Sequence, residues 1–198
     1  MMNGDLRYTR IAVVLHWLIA IGIFGMFALG WFMSELPKEA PKQAAFDLFN
    51  WGFYTWQLAE PASPRTFYFN LHKSLGITLL AFILIRILWR ITHRPPPYLP
   101  SLKIWEKKLA TGTHHLLYLL MIALPLSGLV MSAYSKYGVK WFGVPFIKGL
   151  DNNAMREFYL DVHVALGLVV LLFVILHIGG ALKHKFIDKD ETLKRMSL

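Results

Sequence analysis

The chain has 198 residues, 56% of them hydrophobic and only 17% charged, with a formal net charge of +9 and a mean hydropathy of +0.44. Soluble domains carry about 25% charged residues, and here the deficit is concentrated in long uncharged runs, which excludes an ordinary soluble globular protein. The positive charge sits in the short segments between those runs, with no basic and aromatic pattern on a soluble domain, so no nucleic-acid partner is implied.

Residues 11–33 contain no Asp, Glu, Lys or Arg, enough to cross the bilayer as a helix. Arg7 and Arg10 precede this run, as in a signal peptide, but it exceeds the usual 7–15 residue signal core and carries His16. It is therefore read as a retained span. The connection 34–66 includes "FDLFNWGFYTWQL", and because Trp and Tyr favour the membrane–water interface, a helix lying on the outer surface is expected there. A second span over about 69–91 is apolar except for Lys73 near one end and Arg86 near the other. The stiff crossing "HRPPPYLPSLK" ends it, since proline disfavours helix in the preceding residue. A third span covers about 110–135, with a kink expected at Pro125, and a fourth covers about 160–183. Short loops, with no repeat and no low-complexity segment, leave one domain over 1–198: an all-α integral membrane protein built as a four-helix up-and-down bundle.

With four spans, the N-terminal tail, the 90–108 loop and the C-terminal tail lie on one side. That side holds Arg7, Arg10, Arg90, Arg94, Lys103, Lys107, Lys108, Lys183, Lys185, Lys189, Lys194 and Arg195. The other side has fewer basic residues, partly offset by Glu35, Glu39, Asp47, Glu60, Asp151 and Glu157. The positive-inside rule places both termini in the cytoplasm, where the basic excess also attracts anionic membrane lipid.

The fourth span, "DVHVALGLVVLLFVILH", carries a histidine near each end. His163 and His177 are 14 residues apart, so they project from nearly one helix face, about 21 Å apart along the axis. Depth then sorts the intramembrane histidines: His16 and His177 at the inner level, His72 and His163 at the outer. His114 shares the inner depth with His16, and sequence depth does not choose between them. Polar groups inside spans mark function by default. Two imidazoles without a thiol or carboxylate are too few for zinc, whereas haem needs only axial ligands and imidazole is a usual one. With no cysteine in the chain, thioether-attached haem is excluded, leaving noncovalent haem b, two per chain. Arg86 and Arg90 share a helix face and either pair with haem propionates or snorkel to headgroups. Lys73, beside His72, either contacts a propionate or attracts an anion, or else snorkels. Gly76, Gly128 and Gly167 allow close approach of a haem or helix.

The stretches "RYTRIAVVLHWL", "NLHKSLGITLL", "IRILWRITHRPPP", "HHLLYLLMIALPLSGLVMS" and "ALKHKFIDKDETLKRM" resemble the bacterial cytochrome b561 family, four-helix di-haem cytochromes of the inner membrane. The resemblance runs from about Tyr8 to Met196 and is loosest in the outer loops. It implies His16 and His177 as ligands of the inner haem iron and His72 and His163 as ligands of the outer, with His114 nearby as a supporting residue. It also implies electron exchange with the quinone pool, ubiquinone being the exchangeable substrate. For some members it implies an oxidoreductase activity that oxidises periplasmic superoxide with ubiquinone as acceptor. A periplasmic redox donor or isoprenoid-binding protein is the partner that such relatives suggest. Two further functions remain open: a haem-bearing membrane anchor of a larger redox complex such as a hydrogenase, and a haem-free proton relay or transporter.

Overall fold

The computed structural model describes residues 7–48 and 51–197. Four long helices dominate: α1 (Arg10–Glu35), α2 (Pro64–Thr92), α3 (Ile104–Ala133) and α4 (Asn153–Lys183), each long and apolar enough to cross a membrane. The helices start before their apolar runs because polar caps nucleate an extra turn or more outside the hydrocarbon. The Ser63 hydroxyl accepts from Thr66 N at 3.2 Å with Pro64 in the first helical turn. Asn152 Oδ1 accepts from Met155 N at 3.1 Å, and Glu106 reaches back to Lys103 N at 2.9 Å. Each satisfies a backbone donor that a helix start leaves open. Hydropathy registers only the part of a helix that lies in lipid, so α3 begins at Ile104 and α4 at Asn153, ahead of the residues 110 and 160 that composition suggests.

Backbones approach closely between α1 and α2, α2 and α3, and α3 and α4, giving the up-and-down order. Gly22 sets the α1–α2 approach: a Cβ there would stand 2.8 Å from Leu79. The outward faces remain apolar, with Ile21, Leu88 and Leu168 largely exposed, as expected when the solvent is lipid. α3 stays helical through Pro125.

The outer loop 34–66 corrects one expectation. It forms no surface helix among its described residues. It is an antiparallel hairpin, β1 (Gln43–Asp47) with β2 (Thr55–Ala62), pairing Phe46 with Trp56. The determinant is alternation: in "TWQLAEPA" Trp56 and Leu58 turn inward while Thr55 and Gln57 stay exposed, a period of two that a helix cannot use. Phe46 stacks on Phe67 of α2 with centroids 4.4 Å apart, and together with Leu29 and Tyr68 they form a buried core at this end. Arg65 donates to the carbonyls of Ser34 at 3.1 Å and Leu36 at 2.6 Å, closing the C-terminus of α1.

A second outer hairpin, β3 (Val139–Trp141) with β4 (Val144–Ile147), turns through Phe142 and Gly143, both at positive φ, as tight two-residue hairpin turns require. It lies on α2: Phe142 N donates to Ser74 Oγ at 2.9 Å and Trp141 Nε1 to Thr78 Oγ1 at 3.1 Å. Phe142 also stacks on Trp56, joining the two hairpins.

At the opposite end the C-terminal tail folds back as a clasp. A π-helical turn, His184–Asp188, is followed by a 3-10 turn, Leu193–Met196. Arg195 is buried and donates to Pro97 O at 2.7 Å, while Met196 O accepts from Trp17 Nε1 at 2.8 Å. Lys183 bridges Glu106 at 2.7 Å and Asp188 at 2.6 Å. Burial pushes the Asp190 carboxyl up, but hydrogen bonds from Thr192 and His184 outweigh it and hold the pKa below the ordinary value.

Candidate functional site

The intramembrane histidines meet in two groups. His72 on α2 faces His163 on α4, ring centroids 6.4 Å apart and planes at 86°. His16 on α1 faces His177 on α4 at 6.1 Å and 74°, and His114 on α3 stands 5.3 Å from His177. α4 therefore contributes a histidine to each level. Its closest backbone neighbour is α3, so both pairs reach across to helices from which α4 stands further off.

The His163 ring is the better specified of the outer two. Its Nδ1 lies 3.0 Å from Leu124 O and 3.0 Å from Ser127 Oγ. A carbonyl only accepts, so Nδ1 carries the hydrogen and Nε2 keeps its lone pair. Gly128 completes the cradle: a Cβ there would stand 2.8 Å from His163 Cε1. The segment "LPLSG", 124–128, thus orients one imidazole through a carbonyl, a hydroxyl and a missing side chain. Gly30 backs His72 in the same way, a Cβ there falling 3.5 Å from His72 Cε1. His72 Nδ1 is buried without a hydrogen-bond partner among the described residues.

Both rings of each pair fit a shared metal. Two imidazoles on opposite sides of one ion, each bonded at ~2 Å, have centroids roughly 6 Å apart, close to the 6.1 and 6.4 Å found. Among the described residues no thiol or carboxylate joins either pair, a donor set that suits haem, whose macrocycle supplies the other ligands.

The other expected site residues fall as follows. Arg86 is half-buried and donates to Ala12 O at 3.1 Å, one turn from His16, with its guanidinium 6.0 Å from the Tyr118 ring. Arg90 lies over Tyr8 at 5.9 Å. Lys73 is half-buried and donates to Gly138 O at 3.3 Å, pinning the second outer hairpin. Lys136 and Lys140 are exposed. Gly76 and Gly167 serve helix packing, with would-be Cβ contacts of 3.5 Å to Met26 and 3.7 Å to Phe27. Composition did not single out Leu124, Ser127 or Gly30. The small residues spaced against histidines on other helices were the available signal, but reading it requires the helix pairing.

Four helices long and apolar enough to cross a membrane, with histidines brought together at two levels, suit a membrane cytochrome of the b type. The family model for prokaryotic cytochrome b561 matches residues 7–197, and the chain belongs to that family. It is 37% identical to "Cytochrome b561 homolog 2" of Escherichia coli K12, over 98% of this chain and 93% of that protein. It is 28% identical to "Cytochrome b562" of Cereibacter sphaeroides, over 98% of each. It is 26% identical to "Probable superoxide oxidase CybB" of Yersinia pestis, over 96% of this chain and 95% of that protein. Membership carries b-type haem and transmembrane electron transfer in a multi-pass protein of the bacterial inner membrane.

Proposed function

We propose that the chain holds two b haems, the inner between His16 and His177 and the outer between His72 and His163, and passes electrons between the ubiquinone pool and the outer face of the membrane. Both termini are cytoplasmic, and residues 1–198 act as one domain. The observation that carries this is the pair of near-equal, near-perpendicular histidine contacts at two depths of α4. Each bound haem supplies a reversible one-electron couple. The protein's part is orientation: Leu124 O and Ser127 fix the His163 tautomer, the kind of outer contact that tunes a ligand's basicity. Arg86, at the level of His16, offsets negative charge at the inner site, and His114 supports His177. Lys73 holds the hairpin against α2 beside His72.

Proteoliposomes with an electron acceptor sealed inside and ubiquinol added outside test this. Transfer across the bilayer should need both pairs, so His72→Ala should block it as completely as His16→Ala. Undiminished transfer in either variant would overturn the two-haem path.

Superoxide oxidation with ubiquinone as acceptor is a second reading, favoured by the exposed Lys136 and Lys140 at the second outer hairpin, which lies on α2 near His72, and by the name of the Yersinia relative. Attraction of an anion by these lysines weakens with ionic strength. Haem reduction by superoxide should therefore slow as salt rises; a rate equal to the non-specific background would remove this reading and leave quinone exchange standing.

A further inference from the structure

At the end of the bundle where α1 begins and α2 ends, a cavity of about 50 Å³ opens between the start of α1 and the C-terminal turn of α2. Four arginines line it: Arg86 and Arg90 half-buried, Arg7 and Arg94 exposed. Tyr8, Trp89 and His93 are among the other lining residues. Among the described residues no carboxylate lines it. The described carboxylates at this end are engaged elsewhere: Glu106 and Asp188 with Lys183, Asp190 with His184, Glu191 with Lys194. Four like charges around one small cavity repel one another, which favours binding of an anion there.

We infer that this cavity binds the phosphate of an anionic lipid headgroup. Size, chemistry and place agree. A water needs ~10–15 Å³ of such space, so the cavity takes about four water-sized groups, the scale of one phosphate. Guanidinium forks match phosphate oxygens in paired hydrogen bonds, which a lysine ammonium does not. The lysines at this end, Lys103, Lys107, Lys108, Lys185 and Lys189, lie outside the lining, so the cavity is more than the general basic excess of this face. Arg86 and Arg90 precede the end of the membrane-length helix α2 at Thr92, and Arg94 follows it just before Pro95. Lipid phosphates are concentrated at this level, and basic pockets between membrane helices are known to take such headgroups.

The test uses the purified haem-loaded protein in nanodiscs. Retention of phosphatidylglycerol against phosphatidylcholine is measured by lipid mass spectrometry after detergent washing. Wild type should retain phosphatidylglycerol preferentially, and the double variant Arg7→Gln, Arg94→Gln should lose about tenfold or more of that preference, as expected for two surface cations near lipid charge. The haem spectrum should not change, because both residues lie beyond the ends of the helices that carry the histidines. Arg7→Lys with Arg94→Lys should retain an intermediate preference, separating charge from folding. Equal preference in wild type and the glutamine variant would overturn the inference. So would displacement of the lipid by millimolar inorganic phosphate, which would make the site one for a soluble anion. Loss of haem with unchanged lipid retention would assign the arginines to haem carboxylates and likewise overturn it.

Discussion

Gly128 offers the sharpest perturbation of the outer site. An added methyl would stand 2.8 Å from His163 Cε1 and 3.1 Å from Nδ1, where ordinary contact begins at 3.4 Å. To reach ordinary contact the ring must retreat by about 3.4 − 2.8 = 0.6 Å. Its Nδ1 bonds to Leu124 O and Ser127 Oγ are 3.0 Å long, and stretching them that far carries them beyond useful hydrogen-bond length. Overpacking costs roughly 1–3 kcal/mol and a lost hydrogen bond about 1 kcal/mol. Together these correspond to roughly 30- to 1,000-fold weaker outer-haem binding at 1.4 kcal/mol per tenfold. Gly128→Ala should therefore lose the outer haem on dilution or show it converted to high spin, read from reduced-minus-oxidised spectra with haem quantified per protein. Gly25→Ala is the control, with nothing within 4 Å of the new methyl. A Gly128→Ala protein with both haems bound as tightly as wild type, at unchanged potentials, would refute the cradle.

The pairing predicts matched losses. His72→Ala and His163→Ala should share one spectrum, His16→Ala and His177→Ala another, while His114→Ala keeps both haems with at most a shifted potential; an inner site emptied by His114→Ala but not by His16→Ala would move that ligand to α3. Ser127→Ala should leave both haems bound and shift only the outer potential, measured by redox titration. Arg195→Ala removes a buried bond to Pro97 and a contact with Tyr8; hydrogen bonds from charged groups contribute about 1.5–3 kcal/mol, so the midpoint of thermal unfolding in detergent should fall by several degrees. Asp190 has a depressed folded-state pKa, so its stabilisation is full above the ordinary carboxylate value and is lost as pH falls through the depressed one. The melting difference between wild type and Asp190→Asn should accordingly be constant near neutral pH and vanish in strong acid.

The bundle was legible because lipid imposes a coarse and unambiguous signal. Charge-free runs of bridging length leave few alternatives, and histidine depth can be counted from their ends. What escaped is finer. The hairpin at 43–62 was hidden because its aromatics satisfy both an interfacial composition and a strand alternation, and only the second fits Phe46 onto Phe67. The "KDETLKRM" stretch marked the family without announcing its job, since Arg195 meets Pro97 across half the chain length and Met196 meets Trp17 across most of it. The cradle at 124–128 was invisible for a related reason. Serine and glycine in a membrane helix signal close packing in general, and their partner, His163, is named only once α3 and α4 are laid together.

Pyridine haemochrome analysis of the purified chain, with protein determined by amino-acid analysis, bears most directly on the two-pair site. Two histidine pairs at separate depths predict a b-type spectrum and a ratio of about two haems per chain. A ratio at or below one, or a c-type spectrum, would contradict it.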